Sequence, residues 1–196
     1  MANVSEKGCR LSHRLTGGTP IVETMQMSAS DGTATFLGDL LQIDAYGSAG
    51  LKRKGMIAVA QAGSTGAVIG VAQSFEQYDE VSNSNFSMFR RHRPASVAMY
   101  VHVVTDTMAV FSLQSSASVA EADVGLNADL VVGTGSTVTG ISGNELGATL
   151  DTTATRMLRV LGFVDTPTNE VAAANNKVLV KINNHSYGSH TGTVGE

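Results

Sequence analysis

Val97-Ala98-Met99-Tyr100-Val101-His102-Val103-Val104-Thr105, then Asp106-Thr107, then Met108-Ala109-Val110-Phe111-Ser112-Leu113-Gln114 is the stretch on which the fold turns. Both runs are rich in β-branched and aromatic residues, the types that suit a pleated, half-buried surface. Two such runs joined by about two polar residues predict an antiparallel hairpin. Upstream, Ile21 to Met27 alternates in part, and Ser30-Asp31-Gly32 separates it from Thr33 to Leu37, which resembles a second hairpin. Leu40 to Asp44 adds a strand. Met56 to Ala62 and Ala67 to Ala72, divided by Gly63-Ser64-Thr65-Gly66, lack the polar face of an amphipathic helix and read as paired apolar strands.

Downstream, Ser116 to Leu126 is the one stretch that predicts a helix, about two turns long, with Ala117, Ala120 and Ala122 as formers and Gly125 near its end. Leu130 to Val132, Val138 to Ile141, Met157 to Val164 and Lys177 to Ile182 complete the strands. Strands at intervals of roughly ten residues with one short helix predict an all-β fold, a small antiparallel β-barrel or sandwich. Its expected bounds are residues 21–186, between an extended N-terminal arm (1–20) and a polar C-terminal tail (187–196).

Composition narrows the function. Of 196 residues 15% are charged and 42% hydrophobic, so most of the chain folds. The formal net charge of -4 argues against a dedicated nucleic-acid binder, which needs a concentrated excess of Lys and Arg. One cysteine, Cys9, excludes an intrachain disulfide and a multi-cysteine zinc site. No apolar run is long enough to span a bilayer and no secretory signal opens the chain, so a soluble protein made in a cytoplasm is expected, without a membrane partner. With 21 Gly, 6 Phe, 4 Tyr and no Trp, the sequence is generous in turn residues and poor in large core anchors. That favours a β-protein supported by neighbours.

No catalytic, cofactor or metal constellation stands out. His13, His92, His102, His185 and His190 have no partners at convincing spacing; His185 and His190 would bind zinc only if the tail folded back. Gly133-Thr134-Gly135-Ser136 and Gly63-Ser64-Thr65-Gly66 lack the Lys-Ser/Thr close of a phosphate loop and are read as turns. The expectation is a non-enzyme without cofactors. Two segments suggest contacts instead. The arm carries Arg10 and Arg14 beside Lys7, locally positive on an acidic protein. Residues 76–95 read as a long surface excursion holding Phe86, Met88 and Phe89, either a satellite cluster that pins the loop or a subunit contact. It ends in Arg90-Arg91-His92-Arg93, and Arg is the cation best suited to partly desolvated pairing across an interface.

Several phrases resemble head structural proteins of tailed bacteriophages: the opening Met1-Ala2-Asn3-Val4, Asp31-Gly32-Thr33-Ala34-Thr35-Phe36-Leu37-Gly38-Asp39, Arg93-Pro94-Ala95-Ser96 leading into Tyr100-Val101-His102-Val103-Val104, Ala122 to Asp129, Val132 to Gly140, and Val180 to His185. They run in order through most of the chain, and they are β-turn texts without a catalytic signature. The resemblance implies a capsid cement, or decoration, protein. Such a subunit binds the outer surface of the assembled head, its partner being the major capsid protein, and is itself a homo-oligomer, a trimer favoured over a dimer. Arg10, Arg14, Phe86, Phe89, Arg90, Arg91 and Arg93 are the expected interface residues. The alternative is an exposed adhesion or carbohydrate-binding module, or a tail protein; the lack of Trp counts against a sugar platform.

Overall fold

The computed structural model describes residues 6–44, 55–77 and 88–188, with the side chains of Met88 and Phe89 excepted. Fourteen strands follow in chain order: β1 (Arg10–Arg14), β2 (Val22–Met27), β3 (Thr35–Phe36), β4 (Leu40–Ile43), β5 (Val59–Gln61), β6 (Gly70–Gln77), β7 (Met88–Arg90), β8 (His92–Arg93), β9 (Met99–Val104), β10 (Ala109–Gln114), β11 (Asn127–Val131), β12 (Glu145–Asp151), β13 (Leu158–Phe163) and β14 (Lys177–Ile182). The fold is all-β, and every strand ladder among the described residues is antiparallel.

Two large sheets divide the strands. The N-terminal sheet has the order β2-β9-β6-β4-β5, with β7 added on β6; the C-terminal sheet has the order β1-β10-β14-β13-β11-β12; β3 and β8 form a small third pair. Each large sheet curls until distant strands touch. A single parallel bridge joins Gln26 to Ala58 in the first, and another joins Ser115 to Leu146 in the second. Neither contact extends into a ladder, so the sheets are curled rather than closed barrels.

Alternation explains the two cores. In β14, Val178, Val180 and Ile182 are buried while Lys177, Leu179 and Lys181 face outward, so one sheet face is packed and the other half-exposed. Phe111, Leu113, Leu130, Leu146 and Val160 join them, together with Leu40, Val71 and Val104 from the N-terminal sheet. The second core lies within the N-terminal sheet, around Met25, Met27, Phe75, Met99 and Val101. Each such side chain contributes about 1.5–3 kcal/mol by leaving water.

The expected central hairpin does not form. β9 pairs with β2 and β6, whereas β10 pairs with β1 and β14, so Thr105 to Met108 is a corner between sheets. A tight two-residue hairpin turn needs φ > 0 at one or both central residues. Among the described non-glycine residues only Ser96, Ala172 and Asn175 have it, so Asp106-Thr107 does not make that turn. Instead the Asp106 carboxylate accepts the amides of Met108 (2.9 Å) and Ile21 (3.3 Å), and the Ala109 amide reaches the Asp106 carbonyl at 3.1 Å. This bend directs the chain into the next sheet.

Other pairings also differ from expectation. β2 and β3 are not a hairpin, since β3 pairs with β8. β5 and β6 do not pair with each other, because β4 lies between them. Local strand propensity does not choose partners; burial of one face does. The helix expected at 116–126 is one 3₁₀ turn, Glu121–Asp123, and Val138 to Ile141 is a loop with one bridge from Ile141 to Leu37. β12 forms over a stretch without a run of β-branched residues, Glu145-Leu146-Gly147-Ala148-Thr149-Leu150-Asp151. The arm is extended but built in: Cys9 is buried in the larger core and β1 pairs with β10. Of the tail, only Tyr187 and Gly188 are described.

Candidate interaction surface

The sequence-predicted basic residues separate by burial. Arg93, on β8, is 0% exposed and bound on every side: Nε donates to the Val97 carbonyl (2.8 Å), Nη1 to Asp31 Oδ2 (2.8 Å) and the Thr33 carbonyl (2.6 Å), and Nη2 to the Asp31 carbonyl (2.9 Å) and the Ser28 carbonyl. Burial lowers its pKa, and the Asp31 carboxylate opposes that shift. Its donors tie the Ser28 to Asp31 turn to the chain before β9. Arg93 is therefore an internal plug and not a surface contact, contrary to the expectation from its cluster.

Arg14 is likewise drawn inward. Its Nε lies 2.6 Å from the buried Asp106 carboxylate, closing the sheet-switching corner, and Nη1 donates to the Gly17 carbonyl at 3.3 Å. Burial pushes the Asp106 pKa up, but the Met108 and Ile21 amides and Arg14 outweigh it and leave the group below its ordinary value. The remaining basic residues are outside. Arg90 donates from Nε to Gln77 Oε1 (2.7 Å), Arg91 donates to the Val138 carbonyl (3.3 Å), and Arg10 lies 3.5 Å from Glu6. Phe89 sits on β7, paired with Glu76, and Phe86 lies outside the described residues.

The two sheets meet along a polar seam beside these residues. The Cys9 amide donates to the Gly38 carbonyl, Gly38 to Ala72, Leu37 to Gly140 and Ser142 to Leu37, each at 2.9 Å. Gly38 has φ +86°, and a Cβ there would stand 2.7 Å from the Cys9 carbonyl oxygen. Beneath the seam lies Asp39, fully buried, with Oδ2 accepting the Phe36 amide (2.8 Å) and Gln61 Nε2 (3.0 Å). Burial raises its pKa to about 6 against the help of those donors and the Ser142 hydroxyl. Burial also holds the neighbouring Cys9 thiol far above its ordinary value, with Asp39 adding to the shift, which favours the protonated thiol.

Above the seam runs a groove of about 300 Å³. Lys7 to Leu11 form one wall and Ala72-Gln73 the other, with Leu37 and Gly38 between and Ile141 at the rim. Gln73 is the extra residue of a β-bulge opposite β9 and is exposed. A second groove of about 250 Å³ shares Lys7, Arg10 and Ile141 and continues towards Thr134 and Ser136. The basic Lys7 to Arg10 stretch was legible as a contact segment, whereas residues 72–73 carried no signal, because their place opposite it depends on a bulge and a seam that join distant segments.

The histidines are spread. His102 lies across the outer face of the N-terminal sheet, with Nδ1 3.0 Å from Thr24 Oγ1 and Nε2 3.5 Å from Glu76. The order hydroxyl, imidazole, carboxylate is that of a hydrolytic triad, yet these three lie on adjacent strands of a sheet face and line neither groove. His185 is buried, which lowers its pKa, and its Nδ1 accepts the Tyr187 amide at 3.0 Å. His190 lies outside the described residues. Among the described residues no three His, Cys, Asp or Glu side chains gather to hold a metal ion, and no helix is long and apolar enough to cross a membrane. No family model, curated protein or solved structure matches the chain.

Proposed function

We propose that the protein is a capsid cement protein of a tailed-bacteriophage head, non-enzymatic, seated on the outer surface of the shell and bridging neighbouring major capsid subunits as a homo-oligomer. The ordered run of phrases that resemble those of head proteins, from Met1 to His185, carries the reading. Its support in the fold is an aromatic-poor β-body whose exposed residues include Arg10, Arg90 and Arg91, with Val138 79% exposed beside Arg91. A bridge of this kind stabilises the shell by mass action, because it binds the assembled state alone, and each further contact forms at high effective concentration.

The test is sedimentation of the full chain with expanded, undecorated heads. Wild-type protein is expected to co-sediment and to raise the temperature at which the heads rupture. Arg90→Glu with Arg91→Glu should weaken binding about tenfold or more. Failure of the wild type to bind heads overturns the reading; undiminished binding by the double variant removes the basic loop from the interface.

A further inference from the structure

We propose that the open edge of β1, with the groove beside it, receives an extended acidic segment of another protein chain as an added β-strand. β1 ends the C-terminal sheet, and no described strand pairs with it on the side away from β10. An open edge of this kind offers a row of backbone donors and acceptors to an incoming strand. Here the edge is accompanied by a groove, so an added strand gains a place for its side chains as well as backbone pairing. Leu11, Leu37 and Ile141 supply apolar surface, and the exposed Gln73 amide at the opposite wall is able to donate to a carbonyl and to accept an amide.

Charge selects the occupant. Lys7 and Arg10 are 44% and 50% exposed at the groove. Lys7 pairs with Glu145 at 3.0 Å, while Glu6 is shared by Lys177 at 2.8 Å and Arg10 at 3.5 Å. Three cations thus meet two carboxylates, with His13 exposed on the same strand, on a chain whose overall charge is -4. The excess favours a partner strand bearing Asp or Glu. A second copy of β1 fits poorly. Antiparallel self-pairing about Ser12 would set Arg10 against Arg14 of the other copy, and parallel pairing would align Arg10 with Arg10; like charges across strands repel. The occupant is therefore an acidic strand from a different protein surface. The inference goes beyond the capsid reading and stands without it.

The experiment titrates the isotope-labelled full chain with two short blocked peptides, one alternating Glu and Val, the other alternating Lys and Val, and follows amide resonances and hydrogen exchange. The acidic peptide is expected to shift the amides of Leu11 to Arg14 and of Gln73 and to slow exchange on β1. Lys7→Glu with Arg10→Glu, both at exposed positions, should weaken that response about tenfold while leaving the rest of the spectrum in place. Equal responses to the two peptides, shifts confined to other edges such as β12, or no shift at millimolar peptide would each overturn the proposal. Head binding is measured separately, so either idea can fall alone.

Discussion

The two curled sheets face the same difficulty and close it with different chemistry. In each, buried polar side chains sit where chain segments converge. At the end of the N-terminal sheet, between the chain leaving β2 and the chain entering β9, the group is Arg93 of the small β3-β8 pair, charged and matched by Asp31. In the C-terminal sheet it is a set of neutral amides. Asn176 donates to the Val119 carbonyl at 2.7 Å and accepts the Val119 amide at 3.3 Å, and Asn183 donates to the Ala154 and Arg156 carbonyls at 2.9 and 3.1 Å. A buried ion depends on its counter-ion and on every hydrogen bond, whereas an amide needs only the hydrogen bonds. The sheets should therefore differ in how they respond to loss of the plug.

The largest effect is expected at the charged plug. Arg93→Met removes the counter-ion of the buried Asp31 carboxylate and the guanidinium donors to the Ser28, Asp31, Thr33 and Val97 carbonyls, and should cost about 3–5 kcal/mol in urea denaturation. A cost near zero would mean that the ion pair contributes little beyond its packing.

The seam between the sheets gives the next effect, with the opposite sign. Asp39 goes from an ordinary 3.8 to about 6 on folding, because burial disfavours its charged form. The native state thus prefers the neutral acid. Relative to a permanently ionised group, that preference is fully present below pH 3.8 and is lost as the pH rises through about 6. The difference corresponds to about 3 kcal/mol. Asp39→Asn keeps the acceptor for Phe36 and Gln61, and should stabilise the protein by up to about 3 kcal/mol at pH 8 while changing little at pH 4. Stability profiles of both proteins from pH 4 to 8 check this; parallel profiles would refute it.

Asn176→Ala should cost about 1–3 kcal/mol, less than Arg93→Met, because it strands neutral groups only. If the order of the two is reversed in the same denaturation series, the contrast between charged and neutral plugs fails. The smallest effect is at the corner. Arg14→Ala removes a cation that is 28% exposed, yet Asp106 keeps two backbone amides, so a loss of about 1 kcal/mol is expected. The loss should vanish in acid as Asp106 is protonated, since its lowered pKa makes that contribution present at neutral pH and absent at low pH.

Strand positions were legible where β-branched residues run together, as at Met99 to Val104, Ala109 to Gln114 and Lys177 to Ile182. Pairing was not. Asp106-Thr107 resembles a hairpin turn in composition, but its role depends on Ile21 and Arg14, some 85 to 92 positions upstream. The basic surface was legible only in part. Arg90, Arg91, Arg10 and Arg93 look alike in sequence, and burial alone separates Arg93 from the others. Asp39 and Gln73 carried no signal, since one becomes unusual through a dry environment and the other through a bulge.

Residue types by themselves determined that this chain makes strands and turns, has no intrachain disulfide and builds its cores with few aromatic side chains. Tertiary structure decided which strands share a sheet, which arginine is a plug, and that the presumed arm is an edge strand beside a cationic groove. The reason is physical: strand propensity is a local property of each pleat. Partner choice and side-chain ionisation depend instead on what is removed from water when remote segments pack together.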